Sequence, residues 1–105
     1  MHFLIRNTCF LTLLKIHFAY ANFEESRGNY ETVTSIYTKL TDISELDPTL
    51  TFIQYMRFAR RTEGIKAARQ VFRLAREDGR IKYHVFIAAA WMEYYCAKDK
   101  NLGKV

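Results

Sequence analysis

The sequence predicts an all-α chain whose helices come in pairs and stack as an α-α superhelix of about two and a half repeats. Three observations lead there. Aromatic and aliphatic residues recur with a period of 34–35 residues, and apolar positions inside each unit fall at i, i+3/i+4 spacing. The 105 residues contain only one Pro and four Gly, so little interrupts long regular elements.

The period is carried by named positions. Phe18, Tyr20 and Phe23 return as Ile53, Tyr55 and Phe58, and again as Ile87, Ala89 and Met92, at offsets of 35 and 34 residues. The second helix of each unit agrees, because Val33, Ile36 and Tyr37 map onto Ala68, Val71 and Phe72 with the same shift of 35. A period near 34 residues is that of tetratricopeptide-like helix pairs.

Taken in order, Ile16, Tyr20 and Phe23 mark a first helix over about 11–27, and Tyr30, Val33, Ile36/Tyr37 and Leu40 a second over 30–41. Gly28-Asn29 separates them, and Gly64 occupies the equivalent turn in the next unit. Both turns need a residue that tolerates φ > 0. Asp47-Pro48 reads as a helix N-cap followed by Pro at the first helical position, opening a third helix over 48–61. Ile65, Ala68, Val71/Phe72 and Ala75 stripe a fourth helix over 64–78, closed by Gly79, and a fifth is expected over 83–97. A sixth would begin at Asn101-Leu102-Gly103. The fifth therefore lacks its partner, and the chain reads as a piece of a longer array. The expected organisation is a divergent segment 1–12 followed by repeats at 13–46, 47–80 and a truncated 81–105.

The expected repeat core is Tyr20, Phe23, Ile36, Tyr37, Tyr55, Phe58, Val71, Phe72 and Met92, because aromatics at equivalent repeat positions pack between paired helices. Trp91 and Tyr94 belong to the same aromatic set. Tyr94 and Tyr95 are neighbours and cannot both face inward, so one of them is expected to reach a partner or the next repeat.

Composition narrows the function classes. Half of the residues are hydrophobic, 15% are aromatic and 26% are charged, which suits a folded domain. The net charge of +5 favours acidic partners. Cys9 and Cys96 are far apart and share no metal-ligand spacing, so reduced thiols are expected, with neither a disulfide framework nor zinc. His2, His17 and His84 are scattered, no Gly-rich phosphate loop is present, and Glu24-Glu25 point about 100° apart on a helix. No enzyme and no cofactor are expected. Arg6 and Asn7 break a signal-like apolar start, and Lys15 and His17 break any membrane-length run.

From Arg57 to Lys82 nine positive residues face three negative ones, a local net of +6. Lys66, Arg69, Arg73, Arg76 and Arg80 follow a 3/4 spacing along the fourth helix, opposite Ala68, Val71 and Ala75. Such a stripe can contact RNA phosphates or an acidic partner. It can equally be a solvated face in which Arg69 and Arg73 pair with carboxylates of neighbouring helices.

The stretch FAYANFEESRGNYETVTSIYTKL, with its aromatic-x-x-aromatic-Glu and Ile-Tyr pairs, resembles the HAT (half-a-tetratricopeptide) repeat. DPTLTFIQYMRFARRTEGIKAARQVFRLARED and MEYYCAKDKN are similar to the suppressor-of-forked family, the large HAT-repeat subunit of cleavage stimulation factor, from about Leu13 to Val105. Two positions depart from the HAT pattern. Ala59 stands where it has Glu (Glu24, Glu93), and Thr34 where it has Arg (Arg69). The resemblance implies a non-catalytic nuclear scaffold for pre-mRNA 3′-end cleavage and polyadenylation. Such a scaffold forms a homodimer and holds other 3′-end-processing subunits, with mainly indirect contact to pre-mRNA and none to membrane. The alternative is an RNA-binding helical module using the basic stripe at 57–82.

Overall fold

The computed structural model describes the backbone of residues 2–103 and the side chains of residues 10–98. Among the described residues it holds five helices and no strand: α1 (His2–Ser26), α2 (Tyr30–Thr41), α3 (Thr49–Glu63), α4 (Ile65–Glu77) and α5 (His84–Gly103). The chain is all-α, built of paired helices of the HAT/tetratricopeptide kind. It divides into two compact units, Met1–Leu46 and Asp47–Val105.

In the first unit, α1 and α2 form a hairpin. Gly28, at φ 80°, ends α1: its N–H donates to the Glu25 carbonyl at 3.0 Å and that of Asn29 to the Glu24 carbonyl at 2.9 Å. This is a Schellman closure, which needs a residue at ease with positive φ. The Asn29 side-chain amide then donates to Glu24 Oε2 at 2.7 Å, giving a buried carboxylate its partner. Val33, Ile36, Tyr37 and Leu40 are the buried stripe of α2. On α1, Leu14 and Ala21 are buried, and the Phe18 ring lies 6.3 Å from that of Tyr37.

The second unit packs α3, α4 and α5 around one core. Phe52, Met56 and Ala59 of α3 meet Ala68, Val71 and Ala75 of α4 and Val85 and Ala89 of α5. Tyr55, Phe72 and Met92 are half-buried against this cluster, and Phe72 meets Phe86 edge-on at 5.7 Å. Four alanines among these contacts let the helix backbones approach closely. Gly64 alone connects α3 to α4, at φ 103° and ψ −176°, and its N–H closes α3 on the Ala59 and Arg60 carbonyls. At the start of α3 the Asp47 carboxylate accepts from the Thr49 N–H at 2.9 Å and its hydroxyl at 2.6 Å. Thr49 Oγ1 in turn accepts from the Lys82 N–H at 3.0 Å, tying the α4–α5 loop to the head of α3.

Several expectations change. α1 begins at His2 rather than near residue 11, and α5 continues through Gly103, so no sixth helix starts at Asn101. Pro48 is the cap residue and α3 starts one residue later, while Asp47 still supplies the capping oxygen. Asp78 caps α4 in an extended conformation; no positive φ is found at Gly79. The expected thiol state of Cys9 lies outside the described side chains, and Cys96 is free and half-buried.

Of the expected core, Ile36, Tyr37, Phe58 and Val71 are buried, but Tyr20 is 50% and Phe23 55% exposed. The cause is helix register. Ala21 is buried on α1, and Tyr20 and Phe23 lie about 100° and 200° around the helix from it. Trp91 and Tyr94 are exposed for the same reason, since the inward stripe of α5 runs through Val85, Ala89, Met92 and Cys96. Tyr95 is exposed as well, so both neighbouring tyrosines face outward.

Candidate functional site

Of the five basic residues expected to line α4, Lys66, Arg69, Arg73 and Arg76 lie on one face of it, and Arg80 lies beyond its end. Arg69 reaches across to α5, donating from Nε to Glu93 Oε1 at 2.7 Å and from Nη2 to Oε2 at 2.8 Å. That bidentate pair, with the charge of Glu93 beside it, holds the guanidinium above its ordinary pKa. Arg80 lies beyond the end of α4 and folds onto Asp78, through its N–H at 2.9 Å and Nη2 at 2.7 Å. The hydrogen bonds from Arg80 hold the Asp78 carboxyl below its usual range. Arg76 places its guanidinium 5.7 Å from the centre of the Phe72 ring, a cation–π distance. Lys66 and Arg73 are exposed on α4, seven residues or about 10 Å apart along the axis.

The Glu93–Arg69 clamp ties α5 to α4. Glu24, at the position equivalent to Glu93, is bound instead by Asn29 of its own hairpin. Thr34, equivalent to Arg69, donates to the Tyr30 carbonyl of its own helix.

A second basic group lies on α3. Arg57, Arg60 and Arg61 share one face and line a groove of about 740 Å³ between α3 and α5. Its apolar part is Ile53 and Met56 on one side and Ala88 and Met92 on the other; Trp91 and Tyr95 line it from α5. Trp91 stacks on Tyr95 at 5.7 Å and 24°, and meets Tyr94 edge-on at 5.8 Å. The three guanidiniums were legible as an i, i+3, i+4 set in QYMRFARR. What the sequence left hidden was the partner across the groove, because Trp91 and Tyr95 read as core or repeat-contact residues.

Among the described residues no group of His, Cys, Asp and Glu stands where it can hold a metal ion. No described helix is long and apolar enough to cross a membrane.

A family model described as suppressor of forked protein matches residues 6–104. The chain is 59% identical over 88 residues to protein suppressor of forked of Drosophila melanogaster and 39% identical over 88 residues to cleavage stimulation factor subunit 77 of Arabidopsis thaliana. Each of these alignments covers 84% of this chain and 12% of the relative. It is also 53% identical over 60 residues, 55% of this chain and 6% of the relative, to the mRNA 3′-end-processing protein RNA14 of Cryptococcus neoformans. The length of the family match, the identity over most of the chain and the paired helices agree: this chain belongs to the suppressor-of-forked family.

Proposed function

We infer that the chain is a segment of a non-catalytic scaffold acting in nuclear pre-mRNA 3′-end processing, where it binds other processing subunits and self-associates. One observation carries the reading: relatives named for cleavage stimulation and for mRNA 3′-end processing align over 84% and 55% of this chain. Exposed aromatics support the self-association. Trp91, Tyr94 and Tyr95 cluster on α5, and homodimer interfaces are richer in apolar and aromatic area than ordinary surface.

The opposing term is charge, since two copies at +5 repel. That repulsion is screened beyond about 8 Å at physiological salt. Added salt is therefore expected to leave the dimer unchanged or to tighten it. Sedimentation equilibrium across a salt series is the test, and a monomer at tens of micromolar protein, or a dimer that dissociates as salt rises, would sink the reading. Direct RNA contact through 57–82 is the alternative, with Lys66, Arg73 and Arg76 as its exposed α4 cations. It predicts RNA affinity that falls steeply with salt. The pairing of Arg69 and Arg80 with carboxylates of their own unit counts against it.

A further inference from the structure

We propose that the chain associates head to tail, the outward face of α5 on one copy receiving the outward face of α1 on a second copy. The proposal deepens the self-association reading and rests on it. A template for this joint exists inside the second unit. There α3 receives α5: Ile53 and Met56 wall the α3 side, and Val85, Ala89 and Met92 are the inward stripe of α5. The repeat register maps both halves of that joint onto exposed surface. Thirty-four residues on, Ile53 and Met56 correspond to Ile87 and Ala90, and α5 turns both to solvent. Two repeats earlier, Val85, Ala89 and Met92 correspond to Ile16, Tyr20 and Phe23. Val85 is 0% exposed, whereas Ile16 is 61% exposed and the two aromatics beside it stand half in solvent. The chain therefore carries, on different helices, both faces of a joint that it already makes once.

The two faces also match in size and character. Ile16, Tyr20 and Phe23 stand at i, i+4 and i+7 on α1, and Ile87, Ala90 and Tyr94 at i, i+3 and i+7 on α5, so each stripe runs about 10 Å along its helix. Ala90 between two larger side chains leaves room for an aromatic ring of α1. Arg27 lies over the Phe23 ring at 5.5 Å, yet Phe23 remains exposed. None of the six stripe residues is charged, so joining the faces buries apolar area without stripping a charged group of water. A symmetric pairing of α5 with α5 has no counterpart in the fold, because the joint between α3 and α5 brings unlike faces together. A contact between unlike faces leaves one of each kind open on a linear pair, so association passes beyond two copies unless it closes into a ring.

Sedimentation velocity of the whole chain and two double variants is the test. Tyr20→Glu/Phe23→Glu breaks the α1 face and Ile87→Glu/Tyr94→Glu the α5 face. Both lower the net positive charge, so neither adds general repulsion. Each variant alone is expected to self-associate at least about tenfold more weakly than the parent chain. An equimolar mixture is expected to form a 1:1 pair that grows no further, because the intact α5 face of the first variant meets the intact α1 face of the second. Lys39→Glu on α2 should behave as the parent does. Circular dichroism melts follow the fold of each variant, and where a Glu pair unfolds the chain, the Ser pair at the same positions gives the same reading. Either variant alone associating as strongly as the parent overturns the head-to-tail joint and leaves self-association standing. So does a mixture of two monomeric variants that fails to pair. A parent chain that is itself monomeric at tens of micromolar removes the self-association reading and this proposal together.

Discussion

Phe58 on α3 is 2% exposed, whereas Arg73 on α4 stands in solvent. Truncating a buried Phe removes its transfer free energy and leaves a cavity, so Phe58→Ala is expected to cost about 3–5 kcal/mol. Phe72 is only half-buried, so Phe72→Ala should cost roughly half as much, because the loss scales with the area covered. Arg73→Ala should fall within about 0.5 kcal/mol of zero, as surface substitutions usually do. Urea unfolding of the three variants checks the order. Equal sensitivity of Phe72 and Arg73 would mean that the inward and outward stripes of α4 are exchanged.

At the scale of elements, Gly64 and Gly79 look alike in sequence and differ in backbone. Gly64 holds φ 103° with ψ −176°, a region closed to L side chains, although an added Cβ would meet nothing within 4 Å. Gly64→Ala should therefore destabilise by about 1–3 kcal/mol through backbone strain alone. Gly79 has equal space and no such φ, so Gly79→Ala should be neutral or stabilise by up to about 1 kcal/mol through the unfolded chain. Thermal melts of the pair distinguish strain from crowding; an equal loss at both sites would refute the assignment. The turns at Gly28 and Gly64 were readable because glycine between two apolar stripes has few other uses. α4 was readable because its apolar residues, the exposed Leu74 aside, share one side. α1 and α5 were not: Leu11, Ile16, Tyr20 and Phe23 surround the buried Leu14 and Ala21, so periodicity could not select a face. Small alanines marked the true contacts of α5, where the larger Trp91 and Tyr94 seemed the natural anchors. The groove escaped sequence reading for a related reason, since its two walls lie some thirty residues apart and nothing local joins Arg57 to Trp91.

For the whole molecule, charge decides how the fold responds to acid. The net charge of +5 at neutral pH is a balance of sixteen Lys and Arg against eleven carboxylates, so protonating the carboxylates leaves the positive charge uncompensated. Like-charge repulsion then favours the expanded chain. A local effect adds to this. Burial works upward on Asp47, but the two Thr49 hydrogen bonds and Lys82 outweigh it and hold its carboxyl below the ordinary 3.8; the Arg80 hydrogen bonds do the same for Asp78. A carboxyl with a lower pKa folded than unfolded binds fewer protons in the native state, so acid favours unfolding. Its stabilisation is complete above pH 3.8 and disappears as pH falls through the lower folded value. The melting temperature of the chain should thus be flat from neutral pH down to about 5 and drop below 4. The two causes separate by salt and by substitution. Screening relieves the general repulsion, because the Debye length is about 10 Å at 0.1 M, but leaves hydrogen bonds made at 2.6–2.9 Å intact. Asp47→Asn should lower the melting temperature at pH 7 and flatten the acid limb, while salt should recover only the remaining part. A variant whose acid limb matches that of the parent chain in slope would show that Asp47 does not couple the head of α3 to the α4–α5 loop through its charge.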